Sequence, residues 1–279
     1  MSERVFSGAT RIESVPGNDR GIAYGDGVFE TMRAARGGIA WWPAHWTRLQ
    51  EGARRLGITP PDPAFVRAQA DELLADDDAV LKLIVTRGSG GRGYAPDAGA
   101  APTWVLSRHA LPPAAPAAGV VLRWCSTRLA LQPALAGIKH CNRLEQVLAR
   151  GEWNDPAAPD RDAFEGLMRS VEGDVVSATA ANLFVLRTGR WWTPRIDRCG
   201  VAGVCRRWLL DDLDARESRL DVTDIETADA VFLCNAVRGI LPVARLGTRT
   251  WTPHAQVAAA RERLAQANPA FSAINPETT

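Results

Sequence analysis

Cysteine is scarce and unpatterned: the five present, at positions 125, 141, 199, 205 and 234, are odd in number and include no Cys-x-x-Cys pair. Neither a disulfide framework nor a zinc or other metal site is therefore expected, and the thiols read as small buried hydrophobes. An excess of charge is missing too. Thirty-three basic residues face 32 acidic ones, a formal net charge of +1, and no basic block exceeds pairs such as Arg54-Arg55 and Arg206-Arg207. Without that excess, nucleic acid is not an expected partner. Nor does any run approach the ~18 apolar residues of a membrane span, so no membrane partner is expected. The opening Met1-Ser2-Glu3-Arg4-Val5 has no basic region followed by an apolar core, and the expected location is cytoplasmic. Internal repeats are absent.

What is present suits a sizeable core: 279 residues, 46% apolar and 23% charged. Between Ala110 and Gly119 the run "ALPPAAPAAG" can hold neither a packed helix nor a central strand. It divides the chain into an N-terminal part, residues 1–110, a linker, 111–119, and a C-terminal part, 120–279. In the first part, Leu49, Ala53 and Leu56 fall at helical spacing behind Pro43, Asp62-Pro63 starts a second helix to about Asp76, and Val80 to Thr86 and Thr103 to Ser107 read as strands. That is an α+β pattern. The second part alternates short apolar segments (Val120 to Cys125, Ala163 to Met168, Asn182 to Leu186, Ala230 to Cys234) with helices starting near Asn142 and Val204. A last helix runs from about Pro253 to Ala267. The expectation is a two-domain α/β protein.

Lys139 stands in a short connector, "GIKHCNRLEQVLAR", just before a helix. On position alone it is a solvated surface amine; with a lowered pKa or condensed with an aldehyde, it is a nucleophile and proton carrier. Its company favours the second reading. Five stretches occur in order along the chain: "YGDGVFETMR" (Tyr24 to Arg33), "HWTRLQ" (His45 to Gln50), "IKHCNRLEQVLAR" (Ile138 to Arg150), "ANLFVLRTGRWWTPRIDRCGVAGVCR" (Ala181 to Arg206) and "FLCNAVRGILPV" (Phe232 to Val243). Together they resemble the fold-type IV pyridoxal-phosphate enzymes, which include branched-chain and D-amino-acid aminotransferases and 4-amino-4-deoxychorismate lyase.

The resemblance implies two α/β domains with pyridoxal 5'-phosphate between them, a homodimer, and Lys139 as the Schiff-base lysine that also serves as general base. It places Arg48 at the cofactor phosphate, a task suited to a fixed fork of donors; as a lone helical arginine it would lie on the surface. Val204 and Cys205, after Gly203, open a helix whose free N–H groups suit the same phosphate, and Asn235-Ala236 match a second phosphate-side turn. Outside that context Gly203 and Asn235 are ordinary turn residues. Phe29, in "GVFE", falls near the cofactor and substrate, or is plain core. Asn142 is a further substrate-side candidate.

Within the family the lyase branch is closest, by "TRGSGGRGYA" (Thr86 to Ala95), "KHCNRLEQVLAR" and "CNA". A glycine-rich loop carrying two arginines after a strand can meet a substrate with two carboxylates, and Arg92 is the leading candidate for one of them. The loop lacks the Lys-Ser/Thr ending of a P-loop. The implied reaction is conversion of aminodeoxychorismate to 4-aminobenzoate and pyruvate. One position departs from the family pattern: Ser177 stands where most members carry the glutamate that pairs with the pyridine nitrogen. The nearest acids, Glu172 and Asp174, lie on the preceding turn, and an odd slip to bring Asp174 into place would turn it to the wrong face. Ser177 is expected to donate to a largely unprotonated ring nitrogen, which suits a lyase better than a transaminase; the alternative is that the correspondence fails at this position or that another acid reaches in. Three other readings remain open at this point: an aminotransferase on the same scaffold, a cysteine hydrolase using Cys141 or Cys205 with one of the four histidines, and a non-catalytic binding protein.

Overall fold

Local signals start the first helices. Asp62 caps one by accepting from the Phe65 amide at 2.8 Å, with Pro63 at its first position. Another starts at Trp42 with Pro43 inside its first turn and ends at Gly57 in the left-handed region. The computed structural model describes residues 2–97, 99–155 and 160–274. They form two compact units, Met1–Pro112 with Ile138–Asn142, and Pro113–Gly137 with Arg143–Thr279.

The first unit runs β1 (Ser2–Ser7), β2 (Thr10–Ile12), α1 (Arg20–Tyr24), β3 (Gly27–Ala35), β4 (Gly38–Ile39), α2 (Trp42–Leu56), α3 (Pro63–Leu74), β5 (Ala79–Thr86) and β6 (Thr103–His109). Its sheet has the order β2-β1-β6-β5-β3-β4 and every pairing is antiparallel. Period-two alternation along β3 buries Val28, Met32 and Ala34 in a core shared with Leu49 and Ala53 of α2 and Val66, Ala70 and Leu74 of α3. Phe29 and Thr31 lie on the opposite, half-buried face. Glu30 keeps the phase of the core side, an expensive position for a carboxylate.

The second unit continues with β7 (Val120–Leu129), α4 (Leu144–Gly151), β8 (Glu165–Ser170), β9 (Val175–Ala178), β10 (Asn182–Arg187), β11 (Arg190–Pro194), α5 (Val204–Asp212), β12 (Arg216–Ser218), α6 (Val222–Glu226), β13 (Ala230–Asn235), β14 (Gly239–Leu246), β15 (Arg249–Thr250) and α7 (Ala255–Ala267). Its sheet order is β12-β11-β10-β13-β14-β7-β8-β9, with β15 on β14. The pairings β11/β12, β14/β7 and β7/β8 are parallel. Leu122, Leu167, Leu183, Val185, Val231, Leu233 and Leu241 form its core, while Phe184 and Phe232 stack at 5.0 Å. Two sheets flanked by helices make the mixed α/β class expected from sequence. No helix among the described residues is long and apolar enough to cross a membrane.

The sequence reading put Lys139 with the C-terminal part of the chain. In the structure Ile138–Asn142 belongs to the first unit instead. The cause is backbone pairing: the Phe29 amide donates to the Lys139 carbonyl at 2.9 Å, and the Cys141 amide donates to the Gly27 carbonyl at 2.9 Å. Ile138 is meanwhile buried in the first core. These ties join the segment to the start of β3, despite more than a hundred residues of intervening chain.

Candidate active site

Lys139 projects its Nζ over the face of Phe29, 4.2 Å from the ring centroid, and Lys82 of β5 approaches the same ring at 5.6 Å. The ring gives each ammonium an apolar wall with an electron-rich face. Sequence reasoning named Lys139 and Phe29, and the structure brings them together. Asn142, at the end of the same segment, is exposed and donates through Nδ2 to the Gly25 carbonyl at 3.1 Å. Its side chain ties the segment to the turn after α1.

Behind β3 lies a charge cluster that sequence reasoning missed. Glu30, fully buried, accepts from His45 Nδ1 at 2.6 Å and from Arg48 Nε at 2.8 Å, and Arg48 Nη2 donates to its second oxygen. His45 and Arg48 stand one turn apart on α2, so both meet the strand beneath. Burial by itself would raise the Glu30 carboxyl. The Arg48 charge and the hydrogen bonds from His45 and Arg48 outweigh it and hold Glu30 at about 2. For His45 burial dominates and pushes the imidazole down, assisted by the charges of Arg48 and Lys139. The neutral ring donates from Nδ1 to Glu30, and Nε2 is left as a buried acceptor with no partner among the described residues. The family resemblance implies that Arg48 meets the cofactor phosphate; in the structure a carboxylate grips its guanidinium. A polar residue in the buried phase of β3 was the signal available for Glu30.

In the second unit, α5 starts at Gly203 with no side chain capping its first turn. A Cβ on Gly203 would lie 2.1 Å from Asn182 Oδ1, so only glycine lets Asn182, which donates to the Val201 carbonyl at 2.9 Å, brace the helix start. The N–H groups of Val204 and Cys205 have no side-chain cap, and free N–H groups at a helix start are of the kind that suits an anion. The Cys205 thiol is fully buried; burial and a hydrogen bond with Cys234 push it well up, which makes it a poor nucleophile. Asn235 spends its side chain on its own turn: Oδ1 accepts from the Val237 and Arg238 amides at 3.0 and 2.8 Å, and Nδ2 donates to the Ala180 carbonyl at 3.2 Å. Ala236 sits within that turn, half-buried.

Ser177 lies on β9 opposite Met168 of β8, and its hydroxyl has no partner among the described residues. Glu172 and Asp174 are committed to Arg198, the latter at 2.6 Å. A different buried acid, Glu165 on β8, accepts the Thr179 hydroxyl and its own neighbour's amide, Gly166, at 3.0 Å. Arg92 is exposed, and its guanidinium has no hydrogen bond or ion pair among the described residues.

Taken by itself, the first unit offers an amine on an aromatic wall and a guanidinium of fixed orientation, and the second, by itself, offers a helix start with no side-chain cap; each is of a kind that suits part of a phosphorylated aldehyde. Comparison with known proteins agrees. The amino-transferase class IV profile matches residues 27–246. The aminodeoxychorismate lyase of Vibrio harveyi is 37% identical over 239 residues, covering 82% of this chain and 86% of that protein. The crystal structure of 4-amino-4-deoxychorismate lyase from Pseudomonas aeruginosa superposes with a TM-score of 0.85 at 40% identity, over 94% of this chain and 98% of that one. Escherichia coli branched-chain amino acid aminotransferase, 18% identical with a TM-score of 0.81 over 99% of this chain and 96% of its own, shares the fold. By the residues it matches and the relatives it resembles, the chain belongs to the class IV amino-transferase family.

Proposed function

We propose that this protein is a pyridoxal-phosphate-dependent lyase that converts 4-amino-4-deoxychorismate to 4-aminobenzoate and pyruvate. The observation that carries the reading is the likeness, along nearly the whole chain, to a lyase of that name at 40% identity, with Lys139 placed on an aromatic wall in the first unit.

When bound, pyridoxal phosphate supplies an aldehyde that joins an amine covalently and a ring that withdraws electrons from the attached carbon. In the first unit, Lys139 Nζ would anchor the cofactor and, as a free amine, would take the proton from the substrate carbon that bears the nitrogen. The electron pair left behind expels the enolpyruvyl oxygen, the C–O bond breaks, and the departing enol becomes pyruvate on protonation. Aromatisation of the remaining ring drives the step. Phe29 confines the amine to one side, and Arg48, held by Glu30, offers the phosphate a guanidinium of fixed orientation. In the second unit, the N–H groups of Val204 and Cys205 and the turn at Asn235-Ala236 are the proposed phosphate donors, and Ser177 the partner of the ring nitrogen. Arg92 would meet a substrate carboxylate, with Asn142 beside the Lys139 segment on the substrate side. The proposal includes a cytoplasmic homodimer. Five free thiols suit a reducing compartment, and Leu144, Val147 and Leu148, all exposed on α4, suit burial against a second copy.

Borohydride reduction of the yellow protein followed by peptide mass spectrometry tests the assignment cleanly, because Lys82 and Lys139 are its two lysines. The adduct is expected on Lys139, and pyruvate and 4-aminobenzoate are expected in equal amounts from aminodeoxychorismate. An adduct on Lys82, or a colourless protein that releases no pyruvate, overturns the proposal.

A further inference from the structure

The glycine-rich segment after β5, residues 88–97, is paired at its start with the backbone before α1, the Arg20 amide donating to the Gly88 carbonyl at 2.9 Å and the Gly90 amide to the Asn18 carbonyl at 3.2 Å, while its 93–95 turn is held by the Arg20 side chain. Arg20, at the start of α1, is buried. Its Nη2 donates to the Tyr94 carbonyl at 2.9 Å, and its Nη1 to the Gly93 carbonyl at 3.1 Å and to that of Ala95 at 3.5 Å. Three consecutive carbonyls thus turn toward a single guanidinium. Tyr24, one turn along α1, stacks under that guanidinium at 4.9 Å, and its hydroxyl accepts the Gly93 amide at 3.2 Å. Arg20 Nε donates to Asp26 at 2.9 Å, and Asp26 also accepts from Arg87 Nε at 2.7 Å. Arg87 in turn reaches the Leu56 and Gly57 carbonyls at the end of α2, both at 2.6 Å. The segment is therefore wired through two arginines and one carboxylate to the helix that carries His45 and Arg48.

A run with glycines at 88, 90, 91 and 93, two of them in the left-handed region, loses more backbone entropy on ordering than any other composition. Its own side chains add little: Asp97 accepts the Gly91 amide at 3.4 Å, Tyr94, although exposed, lies 5.5 Å from the Tyr24 ring, and Arg92 is exposed. Burying a guanidinium is costly unless its donors are satisfied, and here Asp26 satisfies Nε while the carbonyls of this segment satisfy Nη1 and Nη2. We propose that Arg20 is a specificity-determining positioning residue: by fixing the carbonyls of Gly93, Tyr94 and Ala95 it holds the loop in the shape that presents Arg92 to the carboxylate of an anionic substrate. The identity of that substrate rests on the lyase reading; the clamp itself does not.

Two variants test it. Arg20→Lys keeps the charge and removes the fork. Gly90→Ala leaves Arg20 in the chain but sets a Cβ 2.8 Å from its Cδ, which forces the flexible side chain aside. Peptide-resolved hydrogen exchange over 88–97 is expected to quicken by about ten-fold in both. KM for aminodeoxychorismate is expected to rise by about ten-fold, the effect of roughly one lost hydrogen bond to a charged group. The cofactor's visible spectrum and kcat should stay near wild type. Unchanged exchange refutes the clamp, and faster exchange with unchanged KM refutes its role in substrate binding. If Arg20→Lys does not fold, Gly90→Ala decides. Should the wild type leave aminodeoxychorismate untouched but transaminate D-alanine, the lyase reading fails, and the KM comparison is made with D-alanine instead.

Discussion

Replacing Glu30 by Gln keeps the side chain's shape and removes its charge from beneath two donors. The structure sets the size of the loss. Glu30 is held at about 2 against an ordinary 4.5, which corresponds to about 3 kcal/mol in favour of the ionised form in the fold. Its side chain is almost wholly buried, so solvent screening takes little from that figure. An Arg48 guanidinium left against a neutral amide approaches the uncompensated buried charge whose cost is roughly 3 to 5 kcal/mol. At pH 7, Glu30→Gln should therefore lower the unfolding free energy by about 3 kcal/mol. The sign of the pH dependence follows from the direction of the shift. Glu30's folded pKa is depressed, so its contribution is complete above about 4.5 and is lost as pH falls toward about 2. The gap between wild type and variant should narrow across that window. Urea titrations at pH 7, 4 and 3, followed by circular dichroism and by amide exchange in α2, measure it. A gap below about 1 kcal/mol at pH 7, within the range of an exposed ion pair, or an equal gap at pH 7 and pH 3, would refute the account.

Three further substitutions probe the site. Arg92→Ala should weaken kcat/KM for aminodeoxychorismate by the roughly 1.5 to 3 kcal/mol of a hydrogen bond to a charged group, with the visible spectrum unchanged; wild-type kinetics would remove Arg92 from substrate binding. Gly203→Ala must displace Asn182 or the start of α5, so titration of the apoprotein should show affinity for pyridoxal phosphate falling about ten-fold or more, as for a lost charge-assisted contact, while affinity for unphosphorylated pyridoxal is retained. Equal losses for both compounds would separate α5 from the phosphate. Ser177→Glu restores the acid common in the family and should raise single-turnover formation of the amine form of the cofactor relative to pyruvate release; an unchanged ratio, with the glutamate shown bound to the ring nitrogen, defeats the idea.

The parts of the fold legible in the sequence were those announced by local chemistry. Asp62-Pro63 starts α3, Pro43 lies in the first turn of α2, and Gly203 precedes α5; each acts on backbone groups within one turn of itself. β3 was not legible as a strand, because its buried phase carries Glu30 among Val28, Met32 and Ala34, and a carboxylate there breaks the alternation by which strands are recognised. The same residue is the key to the charge cluster behind the site, so missing the strand meant missing the cluster. Arg20 posed a harder problem. The partners through which it holds the loop lie 73 to 75 residues away and are main-chain carbonyls, which no side-chain pattern marks.

Lys139 shows how the two kinds of information differ. Its motif could be read without knowing where the segment docks, since the chemistry of an amine in "GIKHCN" does not depend on which unit holds it. Its docking could not be read, because two backbone hydrogen bonds to Phe29 and Gly27 decide it, and backbone bonds can form with any residue type. Chain order favoured the C-terminal unit; pairing with the edge of β3 overrode it. The consequence is physical as well as topological. The residues that set the position of the Lys139 amine, namely Phe29 beneath it and the β3 backbone beside it, sit on the strand whose other face carries Glu30 and, through it, Arg48. A one-residue slip of β3 against β5 would exchange the two faces, putting Glu30 under the amine and Phe29 under α2. The eight-residue register between Gly27↔Thr86 and Ala34↔Ala79 therefore fixes the wall of the amine and the tether of the guanidinium together.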